Sequence, residues 1–259
     1  MLSDERLSSR IIRYSPRPEV TMAGTIVDMH IHTTNGASDS QLRPEEMAEI
    51  AKSIGLTGVN VTEHDRVWDR YTADAFRKEH PYLFLSPGME VSTDLGHITV
   101  VGLKEYVPGI RKAEELRKVV TDMGAFMVVA HPFRHFFDPV NFTRHGKQPP
   151  EMTVENMMKL PVFELVDAIE VLNGANTMRE NYFALQVAHA LGKPGTGGSD
   201  AHSRSGVGYY CTGFEKELES VEDMLVELHA GRITPIMGLP EGKPRPFTLD
   251  DMPEGFPAR

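Results

Sequence analysis

Cysteine is almost missing from this chain of 259 residues: Cys211 stands alone, so no intrachain disulfide can form and secretion gains no support. No apolar run is long enough to cross a bilayer. The first residues, Met1 to Thr25, are polar and carry Arg6, Arg10, Arg13 and Arg17 without an apolar centre, which is not the pattern of a signal peptide. Positive charge is also short. A net charge of −10 argues against a nucleic-acid polymer or an anionic membrane as the main partner, although a local cluster of cations could still hold a small anion. Cytoplasm is the default location. No repeat, low-complexity tract or linker divides the chain.

What is present is enough apolar residue for a sizeable core, 40% of the sequence, with an ordinary 25% charged. Strand and helix patterns alternate. Thr25-Ile26-Val27 leads a strand into Asp28-Met29-His30-Ile31-His32. Helical spacing of Met47, Ile50, Ala51 and Ile54 follows Pro44 and stops at Gly55. Gly58 to Thr62 is a second strand, and a helix covers 72–79. Leu83 to Leu85, Ile98 to Leu103, Phe126 to Ala130, Ala168 to Leu172, Pro194 to Ser199, Tyr209 to Thr212 and Ile233 to Ile236 are further strands. Helices are expected over 111–123, 154–159, 177–191 and 221–229. This alternation predicts a parallel sheet with helical cover, and polar residues collect after the strands, where barrel enzymes place their sites. One barrel-like α/β domain over 25–239 is expected. It has an N-terminal extension over 1–24, with a short strand at Ile11 to Tyr14, and a Pro-rich surface tail over 240–259.

The chemistry is carried by strand ends. Side chains two apart on a strand share a face, so His30 and His32 aim two imidazoles at one point. Asp39, His64, Glu90, His97 and His131 follow, and Asp200 with His202 repeats the spacing of the first pair. Nine nitrogen and oxygen ligands exceed the four or so that one zinc takes. They suit two or three ions sharing a carboxylate, and Glu90 is the natural bridge. Imidazole with carboxylate and no thiolate points to Zn, Mn or Fe rather than to Ca or Mg. His80, His189 and His229 fall on or near helices and read as structural. Asp28 reads as an orienting partner for a ligand. Asp65 is a proton donor to a leaving group or a helix cap. Glu170 and Asn173 end a strand on the site side, where a structural hydrogen bond explains either equally well. The segment Phe133 to Pro150, with Arg134, His135, Arg144 and His145, is long enough to expect a functional role.

Asp-Met-His-Ile-His-Thr, Thr-Glu-His-Asp, Gly-Met-Glu-Val, Val-Ala-His-Pro and Gly-Ser-Asp-Ala-His occur in the order of the PHP family of polymerase-associated domains and histidinol phosphatases. The resemblance spans about Ile26 to Ile236. It implies a distorted seven-stranded β/α, TIM-like barrel with two or three metal ions at the C-terminal ends of its strands. By that resemblance His30, His32, Glu90 and Asp200 form one shell. Glu90, His131 and His97 form a second, and Asp39, His64 and His202 a third. The gap from His32 to Asp39 is longer than the family's usual one, and Glu63 stands where Asp often precedes the motif histidine. Arg134 falls where the family often has a phosphate-holding arginine, whose planar fork matches phosphate oxygens. Arg204, Asn173 and His135 are further substrate-side candidates. The expected activity is hydrolysis of a small phosphorylated metabolite by water activated between ions. The alternatives are the same metal site acting on an amide or ester, or a non-catalytic PHP binding module.

Overall fold

The computed structural model describes residues 24–144, 146 and 148–256. The expected extension over 1–23, its short strand and His145 lie outside the described residues. Among the described residues, no helix is long and apolar enough to cross a membrane.

Two sheets carry the fold. The first holds β1 (Ile26–Ile31), β2 (Gly58–Val61), β3 (Phe84–Pro87), β9 (Tyr210–Phe214), β10 (Ile233–Met237) and β11 (Arg245–Pro246), in the order β11-β10-β9-β1-β2-β3. The second holds β4 (Met89–Thr93), β5 (Gly96–Val101), β6 (Phe126–Val129), β7 (Ala168–Asn173) and β8 (Gly195–Gly198), paired in chain order. The fold is therefore mixed α/β, and it departs from the expected all-parallel sheet. β1–β2, β2–β3, β6–β7 and β7–β8 are parallel, whereas β4–β5, β5–β6, β1–β9 and β9–β10 are antiparallel. The reason is local at β4–β5. Thr93 pairs with Gly96, leaving only Asp94 and Leu95 to turn the chain, and a two-residue turn can join only antiparallel strands.

The helices form where the apolar spacing put them. Pro44–Ile54 opens with Pro in its first turn and ends at Gly55, whose φ of 77° a side chain would resist. Met178–Leu191 starts with Thr177 and Glu180 in a reciprocal capping box. One core lies between the second sheet and the helices Ala113–Met123 and Met178–Leu191, built on Met127, Phe133, Phe163, Ile169 and Phe183. A second packs Met47 and Ala51 over Ile31 and Val61, and a third joins Val27, Phe126, Phe214 and Met224.

Two isolated parallel bridges connect the sheets, Ile31 with Ala201 and His64 with Glu90. Around them Asp200 N–H donates to His30 O at 2.6 Å and Asp65 N–H donates to Glu90 O at 2.8 Å. These seams lie at the ends of β1, β2 and β8, where the motif residues are.

The segment read as a surface tail packs onto the body. Phe247 is 2% exposed and donates its N–H to Pro235 O at 2.8 Å, while Phe256 meets Tyr182 edge-on at 5.0 Å. The long segment after His131 is also ordered by aromatics. Phe133 is fully buried against Phe183, Phe136 meets Phe142, and a short helix, Pro139–Thr143, is capped by Asp138.

Candidate metal centre

β1 is buried on both faces, so its alternation sorts two kinds of side chain: Val27, Met29 and Ile31 go to cores, and Asp28, His30 and His32 go to the site. Asp28 meets backbone N–H groups, that of His30 at 3.3 Å among them. Its Oδ1 accepts from Ser199 N–H at 2.8 Å and its Oδ2 from Gly208 N–H at 3.0 Å. It thereby ties β1 to the chain that delivers Asp200, as an orienting partner would. Burial pushes its carboxyl up to about 6.

All nine expected ligands converge. Glu90, 1% exposed, is the hub. Its Oε1 lies 3.0 Å from His97 Nδ1, 3.2 Å from His131 Nε2 and 3.5 Å from His30 Nε2. Its Oε2 lies 3.0 Å from His64 Nδ1 and 3.4 Å from His32 Nε2. Asp200 Oδ1 faces His32 Nε2 at 3.4 Å and His30 Nε2 at 3.6 Å. Asp39, more exposed, places Oδ2 at 3.3 Å from His64 Nε2 and 3.5 Å from His202 Nε2. Three overlapping sets have ligand atoms within 4.8 Å of one another and could each hold a metal ion: His30–His32–Asp200, His30–Glu90–His131 and His32–His64–His202.

The electrostatics ask for a cation. Burial works against a charge on His30, yet Glu170, Asp200 and Glu90 outweigh it and hold the imidazole well above its ordinary value. Burial pushes His32 down to about 4, leaving it neutral. The hydrogen bond to Glu90 lifts His64 to about 8. Burial opposes charge on Glu90 and Asp200 too, but the surrounding imidazoles, with Arg134 at Asp200, hold both well below the usual carboxylate range. Buried carboxylates that draw protons onto neighbouring imidazoles present the same donors to a divalent ion. With nitrogen and oxygen donors and no thiolate, the residues fit a metal such as Zn, Mn or Fe. Cys211 is buried, and its sulfur bonds to Gly208 O.

Four non-glycine residues have positive φ: Asp65 at 50°, His131 at 32°, His135 at 63° and Asp200 at 53°. Such backbone is uncommon and tends to gather at functional sites. Asp65, His131 and Asp200 lie within a few residues of the ends of β2, β6 and β8, beside or among the candidate ligands.

The other candidates divide. Arg134 reaches the site: its guanidinium donates to Asn173 Oδ1 at 2.8 Å, to Asn176 Oδ1 at 3.1 Å and to Asp200. Among the described residues no hydrogen bond engages its Nη1. Asn173 also donates to Glu170 at 3.0 Å and to Asp200 at 3.3 Å, so it belongs to the site wall. Asp65 is not a helix cap; the helix Arg70–Glu79 is capped by Asp69. Its carboxylate instead accepts from Arg111 and from Ser92 N–H. Arg204 turns away to Glu46 at 2.9 Å, and His135 leaves its ring exposed while its N–H donates to Glu180. Neither placement supports a substrate contact. Glu63 is buried under Thr33 and Trp68 and touches no other motif carboxylate. His80 packs on Phe76, and His229 on Phe126.

The sequence alone undervalued Glu170, an acidic side chain inside a largely apolar strand, which was a usable signal. It missed Asn176 and Arg111, which no pattern marked.

A PHP-associated family model matches residues 178–233. No curated protein matches the sequence significantly. Solved structures share the fold. PsfC from Pseudomonas syringae PB-5123 is 21% identical, with 84% of this chain and 93% of that one covered and a TM-score of 0.55. A two-domain protein from Bacteroides vulgatus, containing a predicted PHP-like metal-dependent phosphoesterase, is 18% identical over 85% of this chain and 67% of that one, TM-score 0.55. An amidohydrolase from Chromobacterium violaceum, solved with bound sulfate and no metal, is 16% identical over 80% and 96%, TM-score 0.51. At these identities the likeness is one of fold: an α/β protein of the PHP-like type. The PHP-associated match over residues 178–233 and this likeness of fold agree with the order of the motifs.

Proposed function

We propose that this chain is a metal-dependent phosphoesterase of the cytoplasm, acting on a small phosphorylated molecule with two or three transition-metal ions. The observation that carries the reading is Glu90, whose two oxygens face different histidines, three on one side and two on the other. A carboxylate so placed suits a bridge between ions. His30, His32, Glu90 and Asp200 would hold one ion, Glu90, His97 and His131 a second, and Asp39, His64 and His202 a third. In this reading the two inter-sheet bridges are the seams of a distorted seven-stranded barrel formed by β1, β2 and β4 to β8.

Ions held there would supply Lewis-acid polarisation of the phosphoryl group and acidify a water. The chain's own residues do the rest. Arg134, fixed on three oxygens by Nε and Nη2, keeps Nη1 for an anion beside Asp200, and Asn173 and Asn176 hold its fork in plane. Asp65 enters this reading as the holder of Arg111 at the rim rather than as a proton donor, because both its oxygens are accepting. The test is metal analysis followed by parallel screens of phosphate esters and of acyl esters and amides. Metal-dependent phosphate release supports the reading. Acyl hydrolysis without phosphate release would overturn it in favour of the amide or ester alternative, and no turnover with metal bound would favour a binding module.

A further inference from the structure

We propose that Glu170 is a positioning residue that decides which nitrogen of His30 faces the metal centre; the inference rests on the metal-centre reading above. Glu170 is 2% exposed on β7, and its hydrogen-bond partners are three groups that can each be donors. Oε1 lies 3.0 Å from His30 Nδ1. Oε2 accepts from His131 N–H at 2.7 Å and from Asn173 Nδ2 at 3.0 Å. Glu170 is thus an acceptor at Oε2, and with Oε1 accepting in the same way the proton of this contact belongs to His30 Nδ1. With a metal bound, Nε2 would be the ring nitrogen that offers its lone pair, and it is the nitrogen that lies among Glu90, Asp200 and His32.

The same carboxylate steadies two ligands from different strands: the ring of His30 on β1 and the backbone of His131 beyond β6, at a positive φ. Gly198 closes the arrangement from β8. A Cβ there would stand 2.4 Å from His30 Cβ, 2.6 Å from His30 N and 3.0 Å from Glu170 Oε1, so His30 at the root of its side chain and the Glu170 carboxylate fill the space a side chain would need.

Donor counting shows what the charge does. Glutamine has nearly the same shape but one acceptor oxygen and one NH2. If its NH2 faces His131 N–H and Asn173 Nδ2, donors oppose donors in a buried place. If it faces His30, it donates to Nδ1 and drives the ring proton to Nε2, which then cannot bind a metal. The second arrangement leaves only one contact to reorganise, so Glu170→Gln should invert the tautomer of His30.

The experiment loads the full chain with zinc, follows zinc affinity by competition with a chromogenic chelator, and reads the histidine ring nitrogens by 15N NMR. Wild type is expected to show His30 protonated at Nδ1 and coordinated through Nε2. Glu170→Gln is expected to bind zinc about 10- to 100-fold more weakly, the range for partners that orient metal ligands. A merely structural role would lower melting temperature while leaving the His30 signature and the affinity alone, and that result overturns the proposal. If wild type takes up no zinc, the metal-centre reading itself falls, and this inference with it. Should the variant fail to fold, the wild-type spectrum still decides: coordination of His30 through Nδ1 refutes the role given to Glu170.

Discussion

His30 Nε2 and His32 Nε2 face each other across 3.1 Å, both almost fully buried. Two neutral imidazoles cannot both turn lone pairs inward at that distance at no cost; a proton or a cation must lie between or beside them. The strand enforces the meeting, because alternate residues share a face. The fold then surrounds the pair with carboxylates from three other chain segments: Glu90, Asp200 and Glu170. Without metal the arrangement takes protons, and with metal it releases them.

That exchange gives a pH prediction. His64 has its pKa raised to about 8 from 6.5 by Glu90. A raised histidine stabilises the folded state fully below its unfolded pKa and loses that contribution as pH climbs through the folded one. Metal-free protein should therefore lose stability between about pH 6.5 and 8. Metal affinity should rise over the same window, since the proton must leave for the ion to bind. Melting curves across this range with chelator and with excess zinc should diverge, and parallel curves would show that His64 takes no part.

Glu90 and Asp39 should respond differently to neutralisation. Glu90 touches five imidazoles in a buried place, whereas the Asp39 side chain is 58% exposed and touches two. Glu90→Gln is expected to lose at least one ion and to lower kcat/KM by more than the roughly 100-fold that marks the upper end for ligand-orienting partners. Asp39→Asn is expected to cost about tenfold. Elemental analysis and kinetics with metal in excess check both, and equal losses would remove the special place of Glu90.

Much of this site was legible because strand ends are where periodic apolar runs stop, and several runs here stop on or just before a histidine or an acid. His30, His32, His64, His131 and Asp200 needed only that. The β4–β5 hairpin was less legible: Asp94-Leu95 is not a turn pair that announces itself, so Glu90 and His97 looked like ends of separate strands. Arg204 was judged by nearness in sequence to His202, yet the short helical turn Arg204–Gly206 carries it to Glu46. The partners of Arg134 come from residues 39 to 66 positions away, a separation that no local pattern reports.

The C-terminal segment should contribute to stability. Phe247 is 2% exposed in the first core and is held by β11 pairing to β10. Phe247→Ala is expected to destabilise the protein by about 3 kcal/mol, the lower end for truncating a buried aromatic. Urea unfolding measures it. A change within about 0.5 kcal/mol, typical of surface substitutions, would return this segment to the status of a tail.

Arg134 offers the sharpest separation of phosphoester hydrolysis from other chemistry. Its Nε and Nη2 are committed to Asn176, Asn173 and Asp200, which leaves Nη1 to meet an anion next to the candidate ligands. Each hydrogen bond to a charged group contributes about 1.5–3 kcal/mol, and about 1.4 kcal/mol is a factor of ten. Arg134→Ala should therefore lower kcat/KM for a phosphate monoester by roughly 10- to 100-fold. Because the guanidinium also bonds Asp200, metal content is measured beside activity, and a loss confined to activity isolates the anion contact. Arg134→Lys keeps the charge without the planar fork and should fall between the two. Inorganic phosphate should inhibit wild type and inhibit Arg134→Ala much less. If the inhibition constants are equal while the metal stays bound, Arg134 serves only to hold Asp200, and the phosphoester reading loses its anion anchor.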